Sequence, residues 1–403
     1  MRATEISAKA GTSWVSSVSC GVLGWVLDAY DFFVLVFLLN TLALHFSVSK
    51  QAIIATITAT LFMRPIGALI VGLFADNQGR KNPLLLCVLY FSFISALTPF
   101  APNYTVFLIL RALYGIGMGG YWGVGAALVM ESSPVRWRGL FSGLLQAGYS
   151  IGYLLAALAS RTLGTASHWK WMFLCGLPVA LTITALLFWI PDASTIAGGR
   201  GLNLQKISAT LQQHWRSFAF LTLFMTGITC LSHGTQDLYP DFLVVVHQFD
   251  LKTVANVAIL YNVGAILGAV VIGRISDRLG RRNSIYLALI ICALAIPAWA
   301  FGKTAIALTL GAIVMQFGVQ GAFGVIPAYL NELSPADTRT LFPGLVYQLG
   351  VLLGAPCVLV EYALRNKLGY SWALTVFEAV VLLCLALMLT MARENHRREL
   401  RAG

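Results

Sequence analysis

Apolar residues in this chain do not alternate with polar ones. They run in twelve long stretches, at roughly 17–43, 52–75, 83–101, 104–131, 139–163, 169–191, 217–247, 251–275, 283–302, 304–331, 340–365 and 371–392. A bilayer crossing needs about 17–25 apolar residues, and tilt accommodates longer runs. Inside lipid every backbone amide must be satisfied by the protein itself, so only helices or closed barrels cross; runs this long predict helices. Some connections are very short, as at Pro102-Asn103-Tyr104. The one long polar stretch runs from Asp192 to Arg216 and contains Gly198-Gly199 and Gly201. Its latter part, Leu202 to Trp215, has the pattern of a short amphipathic helix on a membrane surface. The basic tail from Arg393 to Gly403 is expected to fray.

The polar punctuation between these stretches occurs twice. Gly72-Leu73-Phe74-Ala75-Asp76-Asn77-Gln78-Gly79-Arg80-Lys81 returns 201 residues later as Gly273-Arg274-Ile275-Ser276-Asp277-Arg278-Leu279-Gly280-Arg281-Arg282. The same offset carries Glu131 and Pro134 onto Glu332 and Pro335, and Arg138 onto Arg339. It also carries Gly117, Gly120 and Gly123 onto Gly318, Gly321 and Gly324. One offset held over that distance marks an internal duplication. The predicted fold class is all-α integral membrane, with twelve transmembrane helices in two pseudo-symmetric six-helix bundles. Residues 1–191 form the first bundle, 192–216 a cytoplasmic linker, and 217–403 the second bundle. This is the plan of a carrier that rocks one half against the other.

Composition agrees. The 403 residues are 58% hydrophobic and 11% charged, with a mean hydropathy of +0.78. The net charge of +11 is read from its placement. With both ends in the cytoplasm, the outer loops hold Lys50, Arg161, Lys170, Lys252, Lys303, Arg365 and Lys367, and Arg64 and Arg111 lie inside stretches. The other 18 of the 27 Lys and Arg fall on inner loops and tails. That asymmetry is a topological signal, and no nucleic-acid partner is expected. No cleavable signal peptide is expected, because residues 1–16 are polar and the first apolar stretch is too long. The seven cysteines fall singly inside stretches, which predicts neither a disulfide frame nor a metal site.

The doubled pattern Gly-x-x-x-Asp-x-x-Gly-Arg-Lys/Arg resembles the major facilitator superfamily, and the resemblance covers the whole chain. Gly72 and Gly273 let helices approach closely, and Asp76 and Asp277 suit the positive end of a neighbouring helix or a basic side chain. Arg80, Lys81, Arg281 and Arg282 face lipid head groups or other helix ends. Glu131 with Arg138, and Glu332 with Arg339, complete a charge cluster. The resemblance implies that such clusters latch an inner gate; static topogenic charges are the plainer alternative, though topology has no need of acids.

Charges inside the membrane cost about 2.5–3.5 kcal/mol each on insertion scales, so each invites a functional reading. Asp28 and Asp31, at i and i+3, share a helix face. By rise per residue they lie roughly 16 and 21 Å into the first stretch; Arg64 and Arg111 lie about 18 and 10 Å from the outer ends of theirs. Asp28 therefore matches Arg64 in depth, and Asp31 matches Arg111. The four serve either as a permanent ion-pair network or as groups that exchange a proton against a substrate anion. The Asp-x-x-Asp of the first stretch and Arg64-Pro65 resemble proton-linked carboxylate symporters of the superfamily.

The seventh stretch contains Ser232-His233-Gly234-Thr235-Gln236-Asp237-Leu238-Tyr239-Pro240. It resembles the Ser-His-x-Ser/Thr-Gln-Asp-x-x-Pro signature of Jen-type lactate permeases, in the sialate:proton symporter branch. His233, Gln236 and Asp237 fall on one face, Pro240 predicts a bend, and histidine titrates nearest neutral pH. The alternative is a polar packing cluster with His233 hydrogen-bonded to Asp237. The pattern departs from the branch at Thr229, where the family has Asn, and at Asp241, where it has Thr. An acid at Asp241 repels anions unless protonated or paired. Tyr121 and Asn262 are further candidate carboxylate ligands, with Gln316 and Gln320 beside them; Glu378 is a buried acid to which no role is assigned.

The expectation is a proton-coupled symporter of small monocarboxylates such as lactate and pyruvate. Arg64 or Arg111 would meet the carboxylate, His233 and Gln236 would orient it, and Asp28, Asp31 and Asp237 would carry the proton. The expected partners are a small organic anion, the proton as coupling ion, and membrane lipid, with no cofactor and a functional monomer. The expected location is an inner or plasma membrane, multi-pass, with both termini cytoplasmic. The alternatives are a symporter of another organic acid, aromatic or sialic, and a non-transporting acid sensor, which would be expected to carry a longer signalling tail. An enzyme is not expected, since no nucleophile–His pair, metal spacing or phosphate loop appears.

Overall fold

A computed structural model describes residues 2–165, 167–188 and 204–395. The predicted boundary near residue 191, the glycines Gly198, Gly199 and Gly201, and the last part of the tail lie outside the described residues. Twelve helical spans are long and apolar enough to cross a membrane. They are span 1 (Trp14–Phe37), span 2 (Lys50–Gln78), span 3 (Lys81–Phe100), span 4 (Tyr104–Ser132), span 5 (Val135–Leu163) and span 6 (Trp169–Phe188). The second half supplies span 7 (Trp215–Val245), span 8 (Lys252–Leu279), span 9 (Arg281–Phe301), span 10 (Ala305–Leu333), span 11 (Leu341–Leu368) and span 12 (Tyr370–Met391). No strand occurs among the described residues.

Local sequence sets the ends and breaks. Ser49, Asn103 and Thr304 each accept a hydrogen bond from the backbone N–H three residues on, which starts spans 2, 4 and 10. Span 7 divides into Trp215–Gln236 and Tyr239–Val245, with Pro240 in the first turn of the second piece. Span 11 divides into Leu341–Gly354 and Cys357–Leu368 at Pro356, which has no N–H for the helix ladder. The first predicted stretch, 17–43, is also two helices, Arg2–Phe37 and Leu39–His45. Leu204–Gln213 forms the predicted amphipathic helix ahead of span 7.

Each half packs its helices in the same way. Span 1 lies along span 5 and span 7 along span 11; span 2 lies along span 4 and span 8 along span 10. Glycine makes the closest of these contacts possible. A Cβ on Gly67 would lie 1.8 Å from the Ile116 carbonyl oxygen, and one on Gly268 would lie 2.0 Å from the Phe317 oxygen. These pairs map onto each other by the 201-residue offset, so the duplication extends to backbone contact. Between the halves, span 5 packs on spans 8 and 10, and span 11 on spans 2 and 4.

The repeated motif turns the chain at Gly79 and Gly280, with φ of 90° and 88° and extended ψ. This region is essentially open to glycine only. Replacing either glycine by alanine is expected to cost about 1–3 kcal/mol and lower the thermal midpoint of the detergent-purified protein. A midpoint equal to wild type in both variants would show that these loops relax without glycine.

Candidate functional site

Two reciprocal caps close the face that carries the motifs. Asp76, in span 2, accepts hydrogen bonds from the backbone N–H groups of Thr340 and Leu341, both at 2.9 Å, where span 11 begins. Asp277, in span 8, accepts from Gly139 and Leu140, at 2.7 and 3.1 Å, in the first turn of span 5. Each carboxylate of one half thus meets the positive end of a helix of the other half.

Arginines tie the caps into their own halves. Arg80 reaches Asp76 at 3.1 Å and Glu131 at 2.9 Å, and Arg281 reaches Asp277 at 3.2 Å and Glu332 at 2.8 Å. Burial disfavours the Arg80 charge, but Glu131 and Asp76 more than offset it and hold the guanidinium above its ordinary value. Arg138 crosses to Glu332 at 3.5 Å, both fully buried. Arg339 is buried on the same face, and Lys81 begins span 3 there. Glu394, beyond span 12, receives the backbone N–H groups of Arg281 and Arg282; the sequence reading did not anticipate this cap.

The halves touch further along the same side. The Ser142 hydroxyl donates to the Gly324 oxygen at 2.6 Å and accepts from Ala328 N–H at 3.0 Å, and Gln348 donates to the Gly119 oxygen at 3.2 Å. A Cβ on Gly143 would lie 2.1 Å from the Ala269 oxygen. Among the described residues, the direct hydrogen bonds between halves lie toward the motif face or mid-span. The structure is therefore closed on that face.

Inside the first half lie the four charged residues of the membrane interior. Asp28 and Asp31 are buried, as are Arg64 and Arg111. Of the charged groups acting on Asp28, Arg64 is the strongest, and on Asp31 it is Arg111. Yet no pair among these four closes to ion-pair distance. Asp28 Oδ2, Asp31 Oδ1, Arg64 Nε and all three Arg111 guanidinium nitrogens are buried without a hydrogen-bond partner. The Arg111 guanidinium instead lies 4.1 Å over the Tyr114 ring, and the Tyr114 hydroxyl donates to the Asp28 carbonyl at 3.0 Å. The charges balance two against two, and the Asp28 carboxylate accepts one long hydrogen bond, at 3.5 Å from the Tyr114 hydroxyl.

At span 7, His233 Nδ1 and Asp237 Oδ2 are 2.9 Å apart, and both side chains are partly exposed, at 31% and 40%. The Gln236 amide donates to Gln316 Oε1 at 3.1 Å, and Gln316 donates to the Thr235 hydroxyl at 2.9 Å. The added acid Asp241 is paired, with Arg365 at 3.0 Å and with the Tyr370 hydroxyl. Its charge is answered at the mouth.

Two candidate carboxylate ligands are turned elsewhere. The Tyr121 hydroxyl donates to the Cys20 and Gly21 carbonyl oxygens at 2.8 and 3.0 Å, and the residue is fully buried within the first half. It holds span 4 to span 1 and faces no chamber. Asn262 turns its amide back to Ala258, four residues earlier in span 8.

The sequence reading missed the aromatic lining between the halves. Trp122 of span 4 stacks on Tyr347 of span 11 at 3.8 Å, and Trp25 of span 1 approaches the same ring edge-on at 6.3 Å. Tyr149 of span 5 stacks on Trp25 at 6.2 Å. Arg64 acts electrostatically on both Tyr347 and Tyr149, which places it at this junction. The indole N–H groups of Trp25 and Trp122 are buried without a partner. In sequence these rings look like any aromatic residues on apolar helices.

The family model of the Major Facilitator Superfamily matches residues 21–355 and again residues 218–401. A carboxylic acid transporter protein homolog of Saccharomyces cerevisiae is 30% identical over 378 residues. That match covers 86% of this chain and 61% of the yeast protein, so the chain spans less than two thirds of that relative's length. A niacin transporter of Acinetobacter baylyi is 26% identical over 419 residues, covering 94% of this chain and 93% of its own. A crystal structure of a human organic anion transporter superposes with a TM-score of 0.77 at 17% identity, covering 93% of this chain and 99% of that one.

Removing one cap tests the closed face. Asp277→Asn exchanges two charge-assisted backbone hydrogen bonds and ion pairs with Arg281 and Arg274 for weaker neutral contacts; hydrogen bonds to charged groups contribute about 1.5–3 kcal/mol each. A cysteine placed at Ala328, buried between the halves, is expected to react with a water-soluble maleimide about ten-fold faster in the Asp277→Asn background. Intact mass against the parent without that cysteine reads the difference. Equal rates would show that the cap does not hold the face shut.

Proposed function

The chain belongs to the Major Facilitator Superfamily, and we propose that it carries a small monocarboxylate, such as lactate or pyruvate, together with a proton by alternating access. The observation that carries this reading is the buried set Asp28, Asp31, Arg64 and Arg111, balanced in charge but not closed into ion pairs. Arg64 is shared. It acts on Asp28 and stands at the junction of the halves, beside Tyr149 and Tyr347. An incoming carboxylate competes with Asp28 for Arg64. When Arg64 turns to the substrate, Asp28 takes a proton, and the chamber returns to its empty-state net charge. The halves then rock past one another only when both ligands or neither are bound, because an uncompensated charge in a dry interior costs several kcal/mol. Arg111, fully buried and set against Asp31, serves as the standing counter-charge and not as a substrate ligand. His233 and Gln236 orient the acid from the opposite half, and Asp237 receives protons there.

The positive-inside distribution puts the motif face in the cytoplasm. The structure is then the form closed to the cytoplasm, with the Asp76 and Asp277 caps as its latch. The yeast relative named for carboxylic acids supports the substrate class.

A second reading keeps the mechanism and enlarges the substrate. Tyr149 and Tyr347 stand near Arg64, and Trp25 and Trp122 pack against these rings. An aromatic acid stacks there as lactate does not, and one relative is named for niacin.

Uptake into proteoliposomes tests both. An inward proton gradient is expected to speed uptake of labelled lactate about ten-fold. Arg64→Lys, which loses the planar fork, is expected to lower kcat/KM by about ten-fold or more. Asp28→Asn is expected to keep substrate exchange but lose gradient-driven accumulation. Nicotinate or benzoate outcompeting lactate moves the assignment to the second reading, and uptake indifferent to the gradient sinks the symport mechanism.

A further inference from the structure

The second half holds two acids that this mechanism does not use. Glu361 of span 11 and Glu378 of span 12 are each fully buried, and all four carboxyl oxygens lack a hydrogen-bond partner. By rise per residue Glu361 lies about 11 Å and Glu378 about 12 Å below the outer ends of their spans, so they share one level. Among the described residues, no cation acts on them. The groups acting electrostatically on Glu378 are Glu361 and Cys230, and on Glu361 the one such group is Asp237. Around them stand Cys230, His233 and Asp237 on span 7, Cys357 on span 11 and Cys292 on span 9. Span 10 presents Gln316, whose amide is committed to Thr235 and Gln236.

The internal repeat sharpens the contrast. The 201-residue offset carries Asp28, Asp31, Arg64 and Arg111 onto Thr229, Ser232, Ala265 and Ala312. The second half therefore has no copy of the first-half charge set, and its own two acids come without arginines. A carboxylate buried without cation, donor or water costs far more than the fold can supply, whereas the neutral acid costs about as much as any unpaired polar group.

Geometry links this pair to the chamber. A Cβ on Gly234 would lie 2.2 Å from Glu378 Oε1, so the Glu378 carboxyl presses on span 7 at the residue next to His233. Four residues from His233, Asp237 is 40% exposed. The helix breaks at Asp237–Leu238 and at Ala355–Pro356 put both acids beside segments that can pivot.

We infer that Glu361 and Glu378 form a second proton-carrying site, separate from Asp28 and Asp31, that exchanges with water through His233 and Asp237. A proton passes from the Glu361 carboxyl to the Asp237 carboxylate or the free His233 nitrogen, and Glu378 resupplies Glu361; no other bond changes. Movement of span 7 against Glu378 sets when the pair loads and empties.

Infrared difference spectroscopy on the purified protein tests the site without any substrate. At neutral pH wild type is expected to show carbonyl-stretch bands of protonated carboxylic acids, with one component lost in Glu361→Gln and another in Glu378→Gln. Spectra unchanged by both substitutions would overturn the proposal. The coupling arm rests on the symport reading above. Both glutamine variants are expected to retain counterflow within about two-fold while gradient-driven accumulation falls about ten-fold. Accumulation equal to wild type in both would overturn the coupling. Should a glutamine variant fail to fold, Gly234→Ala, which displaces the Glu378 carboxyl, takes its place with the same expected split. Wild type that shows no gradient-driven accumulation defeats the symport reading itself, and the infrared bands then decide this site alone.

Discussion

A carboxylate seated on the first turn of a helix from the other half is the interaction on which the architecture turns. It occurs twice, with Asp76 on the start of span 11 and Asp277 on the start of span 5. Each cap satisfies two backbone N–H groups that have no partner within their own helix. The contact crosses between the halves, on the face that this structure shows closed. The arginines behind it, Arg80 and Arg281, hold the acid in place and share it with Glu131 and Glu332. The glycines at positive φ turn the chain so that each arginine returns to the acid four residues before it. One ten-residue motif thus encodes a turn, a cap and its counter-ion.

The two halves share this latch and differ in their buried charge. The first half pairs two acids with two arginines and leaves them short of contact. The second half buries Glu361 and Glu378 with no cation beside them among the described residues, and leaves His233 and Asp237 partly exposed. Symmetric scaffolds with asymmetric interiors suit a carrier, since rocking needs matched backbones, while binding a single acid needs only one set of ligands. Between the halves, the rings of Trp25, Trp122, Tyr149 and Tyr347 pack in one cluster, with Arg64 near the two tyrosines.

The twelve spans, the duplication and the two caps were legible in the sequence because each depends on local pattern. Apolar length marks a crossing, proline marks a break, and an acid followed by Gly-Arg marks a turn and its counter-ion. Depth counted at a fixed rise per residue also paired Asp28 with Arg64 and Asp31 with Arg111, because a straight helix preserves distance along its axis. What depth cannot give is the direction a side chain faces. Tyr121 lies on a candidate lining helix yet bonds to the backbone of span 1, and Asn262 bonds within its own helix. Glu361 escaped notice because span 11 continues past the predicted end at 365 to Leu368, which carries the acid deeper than its place in the sequence suggests. The sequence by itself determined a membrane-embedded pair of six-helix bundles and the motif whose acids join them, since those follow from periodicity and composition along one chain. Only the tertiary structure decided which polar groups share a space, because that depends on how helices distant in sequence rotate against one another when they pack.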